Sequence, residues 1–91
     1  MPALAIAAGN ALTGPAIVTL LLRAHAKVNA AGAFGLTPLM YAAQNGSVAT
    51  VQLLLAARAN PRMRAGGHDA LFYAKGHPRR AALIAAALRR K

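Results

Sequence analysis

Residues 35–47 read GLTPLMYAAQNGS, a stretch that contains the start of one helix, a tight turn and the start of a second helix. Thr37 followed by Pro38 is typical of a helix N-terminus, because the threonine hydroxyl accepts a free N–H of the first turn and proline has no N–H to leave unpaired there. The Asn-Gly pair before Ser47 predicts a turn, and Ser47 is suited to capping the helix that follows. The stretch therefore predicts a helix–turn–helix unit.

The second half of this unit recurs upstream with a period of about 33 residues. Val51 and the leucines at 53–55 match Val18 and the leucines at 20–22. A period of this length is the signature of a repeat architecture, in which stacked units share one continuous core. The chain is therefore expected to contain several copies of the unit.

The first half of the unit recurs downstream. Residues 67–74, GHDALFYA, match residues 35–42, GLTPLMYA, at an offset of 32. Asp69 takes the cap position of Thr37, and its negative charge suits the positive end of a helix. We therefore expect the one acidic residue of the chain to start a helix.

A second helix is expected after each turn, beginning near Pro15, Ser47 and Pro78. Its apolar residues recur at i, i+3 and i+4, which marks one buried face. These residues are Ile17, Val18, Leu21 and Leu22 in the first unit and Val51, Leu54 and Leu55 in the second. The fold class that follows is all-α.

The composition limits both the core and the available chemistry. The 91 residues form at most one domain, and the 25 Ala and 13 Leu predict a thin, close-packed helical core. A single carboxylate excludes an acid–base carboxylate pair and a Mg²⁺ or Ca²⁺ cluster. The absence of Cys excludes disulfides, thiolate nucleophiles and Cys-ligated zinc. We therefore expect no enzyme activity and no cofactor.

The remaining candidates for chemistry have structural explanations. His25, His68 and His77 fall in a loop, a hairpin and a turn of different units, without the i, i+4 spacing of a metal site. Ser47 has no neighbouring base, and a helix cap explains it better than a nucleophile does. No catalytic or metal-binding residue is predicted.

The middle unit resembles the ankyrin repeat family. Residues 35–43, GLTPLMYAA, are similar to the family's G-x-T-P-L-H-x-A-A, and residues 45–51, NGSVATV, are similar to its turn and second helix. The resemblance implies an all-α ankyrin-type solenoid, in which stacked helix–turn–helix pairs are joined by short hairpin loops near residues 29–36 and 61–68.

The resemblance also implies a single ankyrin repeat domain over residues 1–91. Its units would span approximately residues 1–28, 29–61 and 62–91. Three repeats are about the minimum that buries a continuous core in a stacked solenoid. The stability of such a domain is expected to be marginal.

The sequence departs from the family pattern at several positions. Met40 stands where the family usually has His, and we expect methionine to fill the space without the histidine's hydrogen bonds to the loop. His25 and Arg58 replace a helix-ending Gly with positive φ, at a cost of roughly 1 kcal/mol each. The first unit carries about three extra residues between its helices, and the last helix has Arg80 and Ala81 at usually apolar positions.

Ankyrin repeats bind proteins through the concave surface that their hairpin tips and first helices form. At the matching positions of this sequence, the resemblance implies contacts from Phe34, Met40, Tyr41, Gln44, Asn45, Arg62, Arg64, His68 and Tyr73. Packing between repeats, with the hydroxyl at the rim, is the alternative for the two tyrosines. Contact is favoured for Phe34, because exposed apolar groups at hairpin tips mark interaction sites.

The positive charge is concentrated in the second half of the chain. Residues 1–45 carry +2 and residues 46–91 carry +8 of the net charge of +10. This asymmetry favours a protein partner with an acidic surface. The alternatives are electrostatic attachment to a polyanion such as nucleic acid or an anionic membrane, a charged end that keeps the stack soluble, and a capping fragment of a larger ankyrin repeat protein.

The apolar segments are too short to cross a membrane. The longest uninterrupted apolar run, residues 81–88, has eight residues, whereas a spanning helix needs about 20. No basic residue precedes Arg23, so neither a secretory signal nor a transit peptide is predicted, and we expect a cytoplasmic protein.

The N-terminal segment raises a separate question. Residues 1–11 predict an apolar helix with no hairpin or polar cap before it. Such a face is expected to be covered by a preceding repeat of a longer array, by another domain or by a second copy of the chain. Self-association through the N-terminal helix is therefore one of three alternatives.

Overall fold

The structure is a computed structural model that describes residues 3–10, 12–32 and 35–89, and within these residues it contains six helices in three consecutive pairs. The helices are α1 (Ala3–Ala8), α2 (Gly14–Arg23), α3 (Pro38–Asn45), α4 (Val48–Ala56), α5 (Ala70–Tyr73) and α6 (Pro78–Arg89). The first helices α1, α3 and α5 pack side by side in one layer, and the second helices α2, α4 and α6 form the other. None of these helices is long and apolar enough to cross a membrane. The predicted all-α solenoid of stacked helix pairs is confirmed.

Side-chain hydrogen bonds start the helices where the sequence predicted them. Thr37 Oγ1 accepts the N–H of Met40 at 3.3 Å, and Ser47 Oγ accepts the N–H of Thr50 at 3.2 Å. Thr13 precedes α2 without a side-chain cap bond. Each capped N–H would otherwise lack a partner in the first helical turn.

Met40 does more than fill the space of the family's histidine. Its Sδ accepts the N–H of Thr37 at 3.4 Å, which closes a reciprocal capping box at the start of α3. The expectation that methionine makes no hydrogen bond to the preceding loop is therefore wrong at this N–H. A thioether sulfur is a weak acceptor, and the helix start brings it within reach.

Two second helices end in the left-handed conformation, as their sequence positions predicted. His25 has φ 65° and Arg58 has φ 68°. At the first of these, His25 N–H donates to Leu22 O (3.1 Å) and Ala26 N–H donates to Leu21 O (3.0 Å). This pair of bonds is the Schellman arrangement, which satisfies carbonyls that a helix end leaves free.

Small residues let neighbouring units approach closely. Of the 16 buried apolar residues among those described, nine are Ala. A Cβ atom at Gly46 would lie 2.5 Å from the carbonyl oxygen of Ala8 in the first unit. Glycine is therefore required at the turn between α3 and α4, because the turn rests on the backbone of α1.

The second predicted hairpin region, residues 61–68, ends in a two-residue turn. The backbone of Ala65 and His68 is joined by reciprocal N–H···O bonds of 2.9 and 3.1 Å. The two glycines between them have φ 60° and 80°. Positive φ at both central positions is the requirement of a type I′ turn.

The first predicted hairpin region, residues 29–36, is described in part. The N–H of Gly32 donates to the carbonyl of Leu36 at 2.7 Å, which closes a turn. Residues 33 and 34, including Phe34, lie outside the described residues. Asn29 Oδ1 accepts the N–H of Asn60 at 2.8 Å, so the loop that leads to this region is tied to the equivalent loop of the next unit.

The departures of the first and last units have structural counterparts. Five residues separate α1 from α2 and two separate α3 from α4, so the three extra residues of the first unit are confirmed. In the last unit, Arg80 Nη1 donates to the carbonyl oxygen of Ala42 at 3.2 Å, and Nη2 lies 2.6 Å from His77 Nδ1. The basic residue at a usually apolar position therefore ties α6 to the C-terminal turn of α3, where a cation is favourable.

Glycine in place of Arg58 should stabilise the protein. A side chain in the left-handed region costs about 1 kcal/mol that glycine does not pay, so Arg58→Gly should raise the free energy of unfolding by about 0.5–1 kcal/mol. His25→Gly should behave in the same way. Urea denaturation followed by circular dichroism measures both.

Ala57→Gly is the matched control, because Ala57 has φ −84°. At that position glycine relieves no strain and adds entropy to the unfolded chain, so the control should be neutral or destabilising. An Arg58→Gly chain no more stable than the control would contradict the strain assigned to Arg58.

Candidate protein-binding surface

The side chains of His68, Phe72, Tyr73 and Lys75 form one group in the last unit, which we call the aromatic cluster. The His68 and Phe72 rings stack with their centroids 3.7 Å apart and their planes at 12°. Tyr73 meets Phe72 edge-on at 5.5 Å, and Lys75 Nζ lies 4.5 Å from the Phe72 ring centroid. Phe72 is 38% exposed, so the cluster presents an aromatic ring with an imidazole and an ammonium beside it.

Two hydrogen bonds position this cluster. Asp69 Oδ1 accepts the N–H of Phe72 at 3.1 Å and so starts α5, which confirms the predicted helix cap. The Tyr73 hydroxyl donates to the carbonyl of Ala65 at 2.9 Å and ties the helix to the hairpin. The half-buried Tyr73 thus has its hydroxyl engaged within its own unit, and His68 is held beside Phe72 at the end of the hairpin.

The predicted contacts on α3 lie on a surface of small residues. Tyr41 is half-buried, and Cβ atoms at Gly9 and Gly32 would lie 3.6 Å and 3.3 Å from its ring. Its ring therefore packs over the backbone of the first unit and the first hairpin region. Gln44 and Asn45, at the C-terminal end of α3, are exposed.

The structure places three of the other predicted contacts, Met40, Arg62 and Arg64. Met40 is 1% exposed, and its prediction as a partner contact is wrong because its side chain is buried in the core. Arg62 Nη2 donates to the carbonyl of Leu88 at 2.6 Å, so its guanidinium lies at the C-terminal turn of α6. Phe34 lies outside the described residues, whereas Arg64 is exposed on the second hairpin.

Comparison with protein families gives a match that spans nearly the whole chain. The family model for ankyrin repeats matches three copies over residues 4–87. The chain belongs to the ankyrin repeat family. The resemblance first seen in residues 35–51 is thereby confirmed, together with the repeat architecture that it implied.

Among solved structures, a chain from a complex of Bdellovibrio bacteriovorus is similar to this ankyrin repeat protein. That complex joins the predatory endopeptidase Bd0816 and the immunity protein Bd3460. The match has 30% sequence identity and a TM-score of 0.77, and it covers 93% of this chain and 45% of the other chain. This chain therefore spans less than half the length of its structural relative. No curated protein matches the sequence.

Phe72 and Lys75 are surface residues that the sequence reasoning missed. At the offset of 32 they match Met40 and Ala43, which are 1% and 0% exposed and belong to the hydrophobic core. No further repeat follows the last one among the described residues, and Phe72 and Lys75 line an open groove of about 680 Å³. The offset alignment contained this signal, because a position that faces a following repeat is exposed where no described repeat follows.

The unit that contains the aromatic cluster also has exposed cations. Arg64 and Arg79 are exposed, as is Lys75 of the cluster, and the Asp69 carboxylate at the groove caps α5. Within residues 3–10, 12–32 and 35–89, no three His, Cys, Asp or Glu side chains come together as a metal site would require. The chemistry of the surface is therefore that of aromatic rings and cations.

Removing the cap at Asp69 should loosen the helix that bears the cluster. Asp69→Ala leaves the N–H of Phe72 without its acceptor and should lower the free energy of unfolding by about 1 kcal/mol. Asp69→Asn keeps a side-chain oxygen and should lose less than half as much. Thermal unfolding of the two variants compares them, and equal losses would assign the effect to the charge instead of the cap.

Proposed function

We propose that this ankyrin repeat chain is a non-catalytic module that binds an acidic protein surface. The proposed contacts are Tyr41, Gln44, Asn45, Arg64, His68 and Tyr73, joined by Phe72 and Lys75. The observation that carries the proposal is the aromatic cluster, in which an exposed ring lies beside an imidazole and an ammonium group. Phe34 stays a predicted contact on the basis of the repeat pattern.

The composition of this surface supports binding to a protein. Buried aromatic and basic side chains supply most of the energy at protein interfaces, because a rigid ring buries a large area at a small entropy cost. The stacked His68 and Phe72 rings are already ordered. A partner would therefore gain contact area without having to order these side chains.

The charge supports an acidic partner. Residues 46–91 carry a net charge of +8, and the one carboxylate of the chain caps a helix. A surface of one sign accelerates association with a surface of the opposite sign and disfavours partners of like charge. The groove lined by Phe72 and Lys75 would accept an apolar side chain with a carboxylate next to it.

The comparison supports a folded partner. The related chain comes from a complex between an endopeptidase and an immunity protein, in which one protein is bound to another. A folded enzyme is accordingly the first kind of partner to test. We also propose that the chain has no enzyme activity, because its side chains offer positive charge and aromatic stacking but no carboxylate pair for acid–base catalysis.

A capture experiment at two salt concentrations tests the proposal against polyanion binding. At about 0.3 M salt, interactions between exposed charges more than a few ångströms apart are screened. Protein contacts that depend on aromatic rings should survive this salt concentration, whereas contacts to phosphate groups should be lost. The probes for the alternative are single-stranded DNA and phosphatidylserine vesicles. If the chain binds these probes as strongly as it captures the protein partner, and high salt abolishes both, the result would favour polyanion binding.

Substitutions at the proposed contacts should weaken capture of the protein partner. Phe72→Ala, Arg64→Ala and Phe34→Ala are each expected to cost 1 kcal/mol or more, which is at least about fivefold in Kd. Arg23→Ala is the matched control for Arg64→Ala, because both arginines are exposed and only Arg64 lies in the hairpin. Equal effects of Arg64→Ala and Arg23→Ala on titrated binding would contradict the proposed surface.

A further inference from the structure

The first repeat has most of the large exposed apolar side chains of the described residues. Ile6, Leu12, Ile17 and Leu20 are 59%, 95%, 42% and 64% exposed, whereas the remaining one, Phe72, is in the aromatic cluster. Ile6 and Ile17 line a groove between α1 and α2. We call this groove the N-terminal face; its lining consists of Ala3, Ile6, Ala7, Asn10, Ile17 and Leu21.

The N-terminal face has the position of a buried surface in the next repeat. At the period of 33, Ile17 and Leu21 match Thr50 and Leu54, both of which are 0% exposed. The first repeat covers them, as the distance of 3.5 Å between a Cβ at Gly14 and Thr50 Oγ1 indicates. The N-terminal face is therefore a stacking surface that lacks a partner among the described residues.

The two ends of the stack differ in charge. No charged side chain lines the N-terminal face, whereas Lys75 and Asp69 line the groove at the other end and Arg79 is exposed on the same repeat. Because the Asp69 carboxylate caps α5, pairing two C-terminal ends would bring the cations of both copies together and bury charged groups. Stacking an N-terminal face on the C-terminal end of another copy would bury Lys75 against neutral apolar groups, at a large cost in lost hydration.

We propose that two copies of the chain associate symmetrically through their N-terminal faces, with Ile6 and Ile17 at the centre of the contact. This arrangement buries apolar groups on both sides and no charge, and it leaves the basic halves at the outer ends. A symmetric contact of this kind closes at two copies. The inference is independent of the proposed protein partner, since the aromatic cluster lies in the other terminal repeat.

The size of the molecule suits a weak dimer. Its extents are 29 × 26 × 23 Å, so a cross-section supplies roughly 600–750 Å² per copy. Two copies that meet over this whole cross-section would bury at most about 1,200–1,500 Å², at the lower end of specific interfaces. We therefore expect a micromolar dissociation constant.

Sedimentation velocity of the 91-residue chain between about 5 µM and 500 µM tests the proposal, because this range brackets a micromolar Kd. The mass should rise with concentration from 9.3 kDa to twice that value and stop there. Higher salt should strengthen the dimer, because each copy carries a net charge of +10 and screening reduces their repulsion. A monomer at all concentrations overturns the proposal, and so does growth beyond two copies, which head-to-tail stacking would produce.

Charge substitutions locate the contact. Ile6→Asp and Ile17→Asp should each raise the dimer Kd at least tenfold, because each places two carboxylates in an apolar contact. Ala49→Asp is the control, since it makes the same change of charge at an exposed position of α4 in the middle repeat and should leave the Kd within twofold of the native value. Circular dichroism establishes that each variant is folded. Ile6→Ala adds no charge and gives a second measurement at that site, with an expected rise in the dimer Kd of about threefold or more. A Kd unchanged in folded Ile6→Asp and Ile17→Asp overturns the proposal.

Discussion

Each helix pair of this protein has apolar surface on two sides and can cover neither by itself. Stacking is therefore the constraint on which the structure depends, since a repeat is stable only where a neighbour covers it. The middle repeat satisfies this constraint on both sides, and its Leu39, Met40, Val51 and Leu54 are at most 1% exposed. The close approach needed for such stacking is possible because Gly46 rests on the backbone of α1.

The local devices at the helix ends serve this stacking. Thr37 and Met40 exchange hydrogen bonds at the start of α3, and Asp69 accepts the N–H of Phe72 at the start of α5. The helices are short, with α5 only four residues long, so they depend on caps and on packing more than on helix propensity. The strained φ of His25 and Arg58 is tolerated because the helix-end hydrogen bonds and the stacked neighbours hold the chain there.

Stacking also produces two terminal surfaces of opposite character. The N-terminal face is neutral and apolar, whereas the outer surface of the last repeat combines Phe72 with Lys75 and basic neighbours. The same repeat pattern thus generates an uncharged apolar surface and a second surface on which an aromatic ring lies beside a cation. A protein with one acidic residue can bear this charge because the cations among its described residues, apart from the half-buried Arg80, lie at exposed positions, where water and salt screen them.

The sequence by itself determined the repeat, the helix starts and the strained helix ends. Thr37, Ser47, Asp69, His25 and Arg58 each act through bonds or torsions within a few residues, so local pattern was sufficient to predict them. It also predicted a hairpin that contains His68, and the structure has a hairpin there.

Only the tertiary structure decided which of the candidate residues face outward. Met40 and Phe72 occupy the same repeat position, yet one is 1% exposed and the other 38%, because Met40 lies in the core of the middle repeat, whereas Phe72 lines an open groove of the last repeat. The hydrogen bonds of Arg62 to α6 and of Arg80 to α3 likewise join residues 26 and 38 positions apart. Exposure and long-range contacts depend on neighbours in space, and a local pattern does not contain them.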